Sequence, residues 1–175
     1  MNSKTLKSFL LGAISAYGLA AIVLISAAGL GIVPVQADVA PSRLEAAVLG
    51  TALHAAVARR APDGVNPVVP SEDNLIQGAK LYTQMCARCH GLSKESDNGL
   101  GQSFYPPAPH LPLRGTTYSE AEMFWLVKHG IRNTAMPAWG NLLADEDIWR
   151  VVMLIGNFGS LPDSVTAELR AEKPK

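Results

Sequence analysis

The chain has no excess of charge of either sign, few aromatic residues and almost no cysteine. Its 175 residues include 15 basic and 15 acidic side chains, so the formal net charge is zero. A nucleic-acid-binding surface needs clustered Lys and Arg, and the only adjacent basic pair is Arg59-Arg60. No segment alternates convincingly between apolar and polar residues, as a half-buried strand does. We therefore exclude a nucleic-acid partner and expect an all-α fold.

Cysteine is limited to Cys86 and Cys89, which are followed directly by His90. A structural disulfide ordinarily closes a longer loop and does not require that histidine. A thioredoxin-like dithiol is expected near a βαβ pattern, and a zinc site needs four ligands, usually with a second Cys or His pair. The other histidines are scattered along the chain and form no such pair. These exclusions favour Cys-x-x-Cys-His as the attachment motif of one covalently bound c-type haem.

Charge is also absent from Ser8 to Ala37, with Lys4 and Lys7 before this run and Asp38 after it. About 20 apolar residues in a helix cross a bilayer, whereas the apolar region of a secretory signal has only about 7–15. We therefore predict that residues 1–37 are a single transmembrane anchor. A signal peptide removed after Ala37 is the alternative. Either way the lysines stay in the cytoplasm and the rest is exported, to the periplasmic side of a bacterial inner membrane.

After the anchor, the sequence predicts a linker, a compact domain and a tail. Residues 38–70 are interpreted as a linker, with an Ala-rich helix from Ser42 to Arg60 and then a Pro-rich stretch. The haem domain is expected over residues 71–161, and a C-terminal tail over residues 162–175. Periodicity and capping signals predict three helices in the domain, running from Glu72 to Ala87, from Ser119 to the residue before Gly130, and from Asp145 to Phe158.

The attachment motif supplies the ligand on one face of the iron. Two thiols add across the vinyl groups of the haem, and His90 presents a neutral imidazole to the metal. Met136 is the candidate for the other face, because it lies in a loop and is followed by the stiff Pro137. His110 and His129 are rival ligands, and a half-buried loop side chain is the alternative role for Met136. With both axial positions filled, no open site remains for a substrate, which favours an electron carrier over an enzyme.

The domain resembles the class I cytochrome c family, in its mono-haem, His/Met-ligated form. Gly78 and Tyr82 precede Cys86 at four-residue intervals, and in that family this glycine and aromatic let the first and last helices cross closely. Pro109-His110-Leu111 is similar to the family's P-x-L element, and Thr134 to Pro137 is similar to its methionine loop.

The resemblance implies roles for several residues of the haem site. It implies that the Pro109 carbonyl accepts a hydrogen bond from His90, that Leu111 packs on the haem, and that Met136 ligates the iron. Trp139, three residues after the methionine, is the tryptophan expected to touch the haem. Arg114 and Arg132 are open alternatives for a contact with a propionate.

Two features depart from the family pattern. Leu154 occupies the position where the last helix usually carries an aromatic residue. The segment Tyr105 to Pro109 is unusually rich in proline, and we hypothesise that it forms a stiff wall beside the haem.

The expected function is electron transfer by a membrane-tethered carrier. The donor would be a quinol-oxidising complex or a dehydrogenase, and the acceptor an oxidase or a reductase. One alternative is a cytochrome subunit held permanently in a larger membrane oxidoreductase complex. Another is a haem-based sensor or a peroxidase-like enzyme, which requires Met136 to be off the iron.

Overall fold

A long apolar helix forms the first part of the chain. A computed structural model describes residues 2–171, which divide after Val39 into two units. In the first unit, α1 spans Ser3–Gly29, and its 27 residues rise about 40 Å at about 1.5 Å per residue. The helix is apolar and long enough to cross the roughly 30 Å hydrocarbon core of a bilayer, and none of its side chains is buried in the protein. The predicted N-terminal apolar helix is confirmed.

The second unit consists of helices and turns throughout its described residues. One turn of 3-10 helix, Trp139–Asn141, lies between the helices Glu120–His129 and Asp145–Gly156. The α-helices are α2 (Arg43–Arg60), α3 (Glu72–Met85), α4 (Ala87–His90), α5 (Gly99–Gln102), α6 (Leu111–Arg114), α7 (Glu120–His129), α8 (Asp145–Gly156) and α9 (Asp163–Ala171). The prediction of an all-α fold is confirmed.

The three helices predicted in the domain correspond to α3, α7 and α8. Helix α3 ends at Met85, earlier than predicted, because the chain turns at Cys86 into the short α4. Helix α7 begins with the expected capping box: the Ser119 hydroxyl accepts from the Glu122 N–H at 3.3 Å, and the Glu122 carboxylate accepts from the Ser119 N–H at 2.8 Å. Local signals therefore predicted the start of this helix correctly.

Helices α3 and α8 cross at Gly78, where there is no room for a side chain. A Cβ atom on Gly78 would lie 2.4 Å from the Arg150 carbonyl oxygen and 3.5 Å from Cβ of Leu154. Leu154 is completely buried at this crossing. The aromatic residue expected at its position is replaced one turn later by Phe158, which packs edge-on against Tyr82 with ring centroids 5.1 Å apart.

The described part of the predicted C-terminal tail is a packed helix. Helix α9 lies against α3 and buries Val165 and Leu169, and the Ser164 hydroxyl donates a hydrogen bond to the Glu72 carboxylate. Two apolar residues four positions apart give a helical face of only one turn, which is too little to identify without its tertiary partner. Residues 172–175, the rest of the predicted tail, lie outside the described residues.

The segment predicted as a linker also packs within the second unit. Val57 of α2 is completely buried, and Val68 is buried in the Pro-rich stretch that follows. This stretch is irregular, as expected, and it is held by Asn66. The Asn66 side-chain amide donates to the Trp149 carbonyl at 3.2 Å, and its oxygen accepts from the Val68 N–H at 3.0 Å. The predicted linker therefore contacts the rest of the second unit at Val57, Asn66 and Val68, while most of its other residues are exposed.

Candidate haem site

The attachment segment forms one tight turn at the C-terminal end of α3. The His90 N–H donates to the Cys86 carbonyl at 2.9 Å, and the Cys89 N–H donates to the same carbonyl at 3.1 Å. Both thiols are free and half-buried. Burial raises the pKa of the Cys86 thiol to about 12, and the nearby Cys89 contributes to the rise, so Cys86 keeps its proton in the folded chain without haem.

The ring of His90 is oriented by a backbone carbonyl. Its Nδ1 lies 2.9 Å from the Pro109 carbonyl oxygen, so Nδ1–H donates and Nε2 is the nitrogen left with a lone pair for a metal. Burial lowers the pKa of His90, an effect that the hydrogen bond to Pro109 partly opposes. The imidazole is therefore favoured in its neutral form, which is the form that binds a metal.

These groups face a cavity of about 420 Å³. This is within the range of about 300–1,000 Å³ that is usual for cofactor and ligand sites. The cavity is mainly apolar, and among the described residues that line it Arg114 is the only one with a fixed charge. All the predicted site residues line it: Cys86, Cys89, His90, Pro109, Leu111, Met136 and Trp139.

The donor set of the cavity fits a haem and does not fit a protein-ligated metal ion. No group of three or more His, Cys, Asp or Glu that could hold a metal ion exists among residues 2–171. Two thiols on one turn, one imidazole and the thioethers of three methionines (Met85, Met123 and Met136), set in apolar walls, instead include the groups that attach and ligate a haem c. Bound there, the haem would supply the one-electron chemistry of its iron.

Met136 is held in a tight loop between α7 and the 3-10 helix. The Thr134 hydroxyl donates to the Ile131 carbonyl at 2.8 Å and accepts from the Met136 N–H at 3.0 Å. Gly130 has a φ of +65°, and a Cβ atom on it would lie 2.6 Å from the backbone of Pro137. The loop backbone is therefore clamped on both sides of the methionine.

The rival axial ligands have other environments. Both ring nitrogens of His110 are engaged, since Nε2 lies 2.9 Å from the Ser96 carbonyl oxygen and Nδ1 accepts from the Leu113 N–H at 3.3 Å. His129 is exposed at the end of α7, with its ring tilted against Trp125. Neither histidine lines the cavity.

The proline-rich segment forms one wall of the cavity, as expected. Phe104, Pro106, Pro107 and Ala108 line it beside Pro109. The wall is tied to the attachment side through α5, because the Ala108 N–H donates to the Gly101 carbonyl at 2.9 Å. A Cβ atom on Gly101 would lie only 2.0 Å from the Cys89 carbonyl oxygen.

A further wall was not predicted from the sequence. In the loop between α6 and α7, the four consecutive residues 115–118 line the cavity: Gly115, Thr116, Thr117 and Tyr118. Arg114, one of the two arginines considered for a propionate contact, also lines the cavity, whereas Arg132 does not. The only available signal was position, between the P-x-L element and the capping box at Ser119.

The fold and the site together define a c-type haem domain that transfers electrons. Residues 73–155 match the family model described as "Cytochrome C oxidase, cbb3-type, subunit III". No curated protein and no solved structure matches the chain significantly. The haem domain of this chain belongs to the class I cytochrome c family and carries a covalently bound haem c. Its role is that of an electron carrier.

Proposed function

We propose that this protein is a membrane-tethered mono-haem cytochrome in which His90 and Met136 ligate the iron. The observation that carries this proposal is that the imidazole, the thioether and both attachment sulfurs line a single apolar cavity. Thioether ligation raises the reduction potential. Filled axial positions leave the exposed haem edge as the route for electrons.

Met136 is favoured as the sixth ligand because its backbone is held on both sides while the rival histidines are not available. Met85 and Met123 also line the cavity. Met85 adjoins the attachment turn, and the sulfur of Met123 accepts a hydrogen bond from the Thr116 hydroxyl at 3.3 Å. Of the three methionines, Met136 is the one that lies in a clamped loop and not in a helix.

A matched pair of methionine substitutions tests the ligand assignment. Met136→Leu removes the sulfur at nearly constant volume, so we expect a large fall in the reduction potential and new binding of carbon monoxide to the ferrous haem. Met123→Leu makes the same chemical change at another cavity position and should leave the ligation spectrum unchanged. An unaltered spectrum in Met136→Leu would instead support the sensor or peroxidase-like interpretation.

The partners follow from the same proposal. A quinol-oxidising complex or a dehydrogenase supplies single electrons, and an oxidase or a reductase accepts them. A second candidate is a permanent subunit of a membrane oxidoreductase, which is favoured by the description of the matching family as an oxidase subunit. Mild detergent extraction separates the two, since a carrier migrates alone and a subunit co-purifies with a large haem-containing assembly.

We also propose that α1 remains as a single-pass anchor in a bacterial inner membrane, with the haem domain on the periplasmic side. Its 27 residues exceed the roughly 7–15 of a signal-peptide apolar region. Mass spectrometry of the purified protein tests this directly. The full chain plus one haem supports an anchor, and a chain that begins at Asp38 identifies a cleaved signal.

A further inference from the structure

Helix α2, which precedes the haem domain, contacts a residue of the cavity wall through the side chain of His54. Leu53 and Val57 pack on the core, and His54 lies between them in sequence. Its Nδ1 is 3.0 Å from the Tyr118 hydroxyl, and the two rings are stacked with centroids 5.6 Å apart and an interplanar angle of 27°. His54 itself does not line the cavity, whereas Tyr118 does.

Tyr118 ends the wall formed by residues 115–118. Within the domain, its N–H donates to the Thr116 hydroxyl at 3.1 Å, and that hydroxyl donates to the sulfur of Met123. The Tyr118 hydroxyl is the last group in this series of contacts, and its partner is His54 of α2. The wall is therefore bonded to Met123 of α7 through Thr116 and to His54 of α2 through Tyr118.

The Tyr118 hydroxyl and Nδ1 of His54 form a hydrogen bond in which the phenol donates or accepts according to the tautomer of the imidazole. Burial, and then the carboxylate of Glu122, raise the pKa of Tyr118. The phenol accordingly keeps its proton and remains a hydrogen-bonding partner for Nδ1 of His54. A hydrogen-bonding side chain at this position of α2 is what the contact requires.

We propose that His54 is a positioning residue of the haem site: by holding Tyr118, it keeps the 115–118 wall closed over the haem and thereby raises the reduction potential. This inference rests on the proposed electron-transfer function. The physical reason is that ferric haem carries one more positive charge than ferrous haem. Water admitted beside the ring stabilises the ferric state and lowers the potential.

The test is a double-mutant cycle on the full-length, haem-loaded protein in detergent, with the midpoint potential as the readout. His54→Ala and Tyr118→Phe should each lower the potential, and the double variant should add little to either, because both remove one contact. His54→Asn, whose side-chain amide can replace Nδ1 as the hydrogen-bonding group, should restore most of the wild-type value. His54→Phe keeps an aromatic ring for stacking but has no hydrogen-bonding group, so it should behave like His54→Ala.

A matched histidine control and a second measurement complete the test. His129→Ala removes an exposed ring away from the cavity and should leave the potential unchanged. Hydrogen exchange should become faster at the amides of residues 115–118 in His54→Ala, relative to wild type. A potential unchanged in His54→Ala, or shifts of the two single variants that simply add, would overturn the inference. A protein that binds no haem would contradict the proposed function itself, so the two failures are distinguishable.

Discussion

Replacing Gly78 by alanine adds a methyl group at the point where α3 and α8 approach most closely. The new Cβ atom would lie 2.4 Å from the Arg150 carbonyl oxygen and 2.9 Å from its carbon. These are backbone atoms in the interior of α8, so no side-chain rotation can relieve the overlap. The two helices must move apart, and α3 carries the attachment turn of the haem.

The size of the effect follows from two opposing contributions. Overpacking a core typically costs about 1–3 kcal/mol, and a backbone clash of this kind belongs near 3. Alanine is favoured over glycine in a helix interior by about 1 kcal/mol. The expected net loss is therefore about 2 kcal/mol. For a unit of this size it lowers the melting temperature by roughly 8 °C.

Gly50→Ala is the matched control, since Gly50 lies within α2 and a Cβ atom there meets nothing within 4 Å. It should leave stability unchanged or raise it by about 0.4–1 kcal/mol. Guanidinium unfolding of the haem-loaded variants, followed by far-ultraviolet circular dichroism and by haem absorbance, measures both changes. If Gly78→Ala were as stable as Gly50→Ala, the close crossing described above would be wrong.

Two further predictions concern the methionine loop and high pH. Gly130→Ala forces a Cβ atom to 2.6 Å from the Pro137 backbone, so it should displace the loop and weaken iron–sulfur ligation. The control is Gly64→Ala, which is also at positive φ (+115°) but in open space. This variant should lose stability while its haem spectrum stays that of the wild type. Loss of the thioether signature in both variants, or in neither, would contradict this. Burial raises the pKa of Tyr82, so the unfolded chain releases this proton near pH 10 while the folded chain retains it. The contribution of Tyr82 to the free energy of unfolding is complete below about pH 10 and is lost as the pH rises above it. The fall in the free energy of unfolding between about pH 9 and pH 11 should therefore be smaller in Tyr82→Phe than in wild type. Equal falls in denaturant titrations would refute the assignment.

Much of the fold could be predicted because its signals are local. The capping box at Ser119 and the acidic start of α8 at Asp145 are contained within one helical turn each. The charge-free run that predicts α1 needs no tertiary information either. These features depend on hydrogen bonds and solvation within a few residues, which one sequence records directly.

The helices at the edges of the domain were harder to predict. Val165 and Leu169 of α9 become a recognisable face only once α3 is beside them. In α2, Leu53 and Val57 form a weak apolar face in an Ala-rich helix, and the burial of Val57 is a property of the assembled unit. The burial of α2 and α9 therefore depends on packing between distant segments, and the sequence alone indicated only a linker and a tail there.

For the haem site, the chemistry-bearing residues were predictable and the walls were only partly so. Cys86, Cys89 and His90 form a contiguous motif, and Pro137 distinguishes Met136 from the core methionines. The 115–118 wall consists of small or polar residues with no periodic pattern, so nothing local indicates that it lines a cavity. Its position depends on how α6, α7 and α2 meet.

The ring of His110 connects the short helix α6 to the loop that follows the attachment turn. Its Nε2–H donates to the Ser96 carbonyl and its Nδ1 accepts from the Leu113 N–H, so the ring caps α6 while it is anchored to the loop after the attachment turn. A Cβ atom on Gly91, whose φ is +82°, would lie 2.5 Å from Nε2, so this ring packs directly on the backbone that follows His90. The residue before His110 is Pro109, and its carbonyl is thereby held 2.9 Å from Nδ1 of His90. Both ring nitrogens of His110, a rival candidate for the iron, are thus used in hydrogen bonds. These bonds fix the Pro109 carbonyl that orients His90.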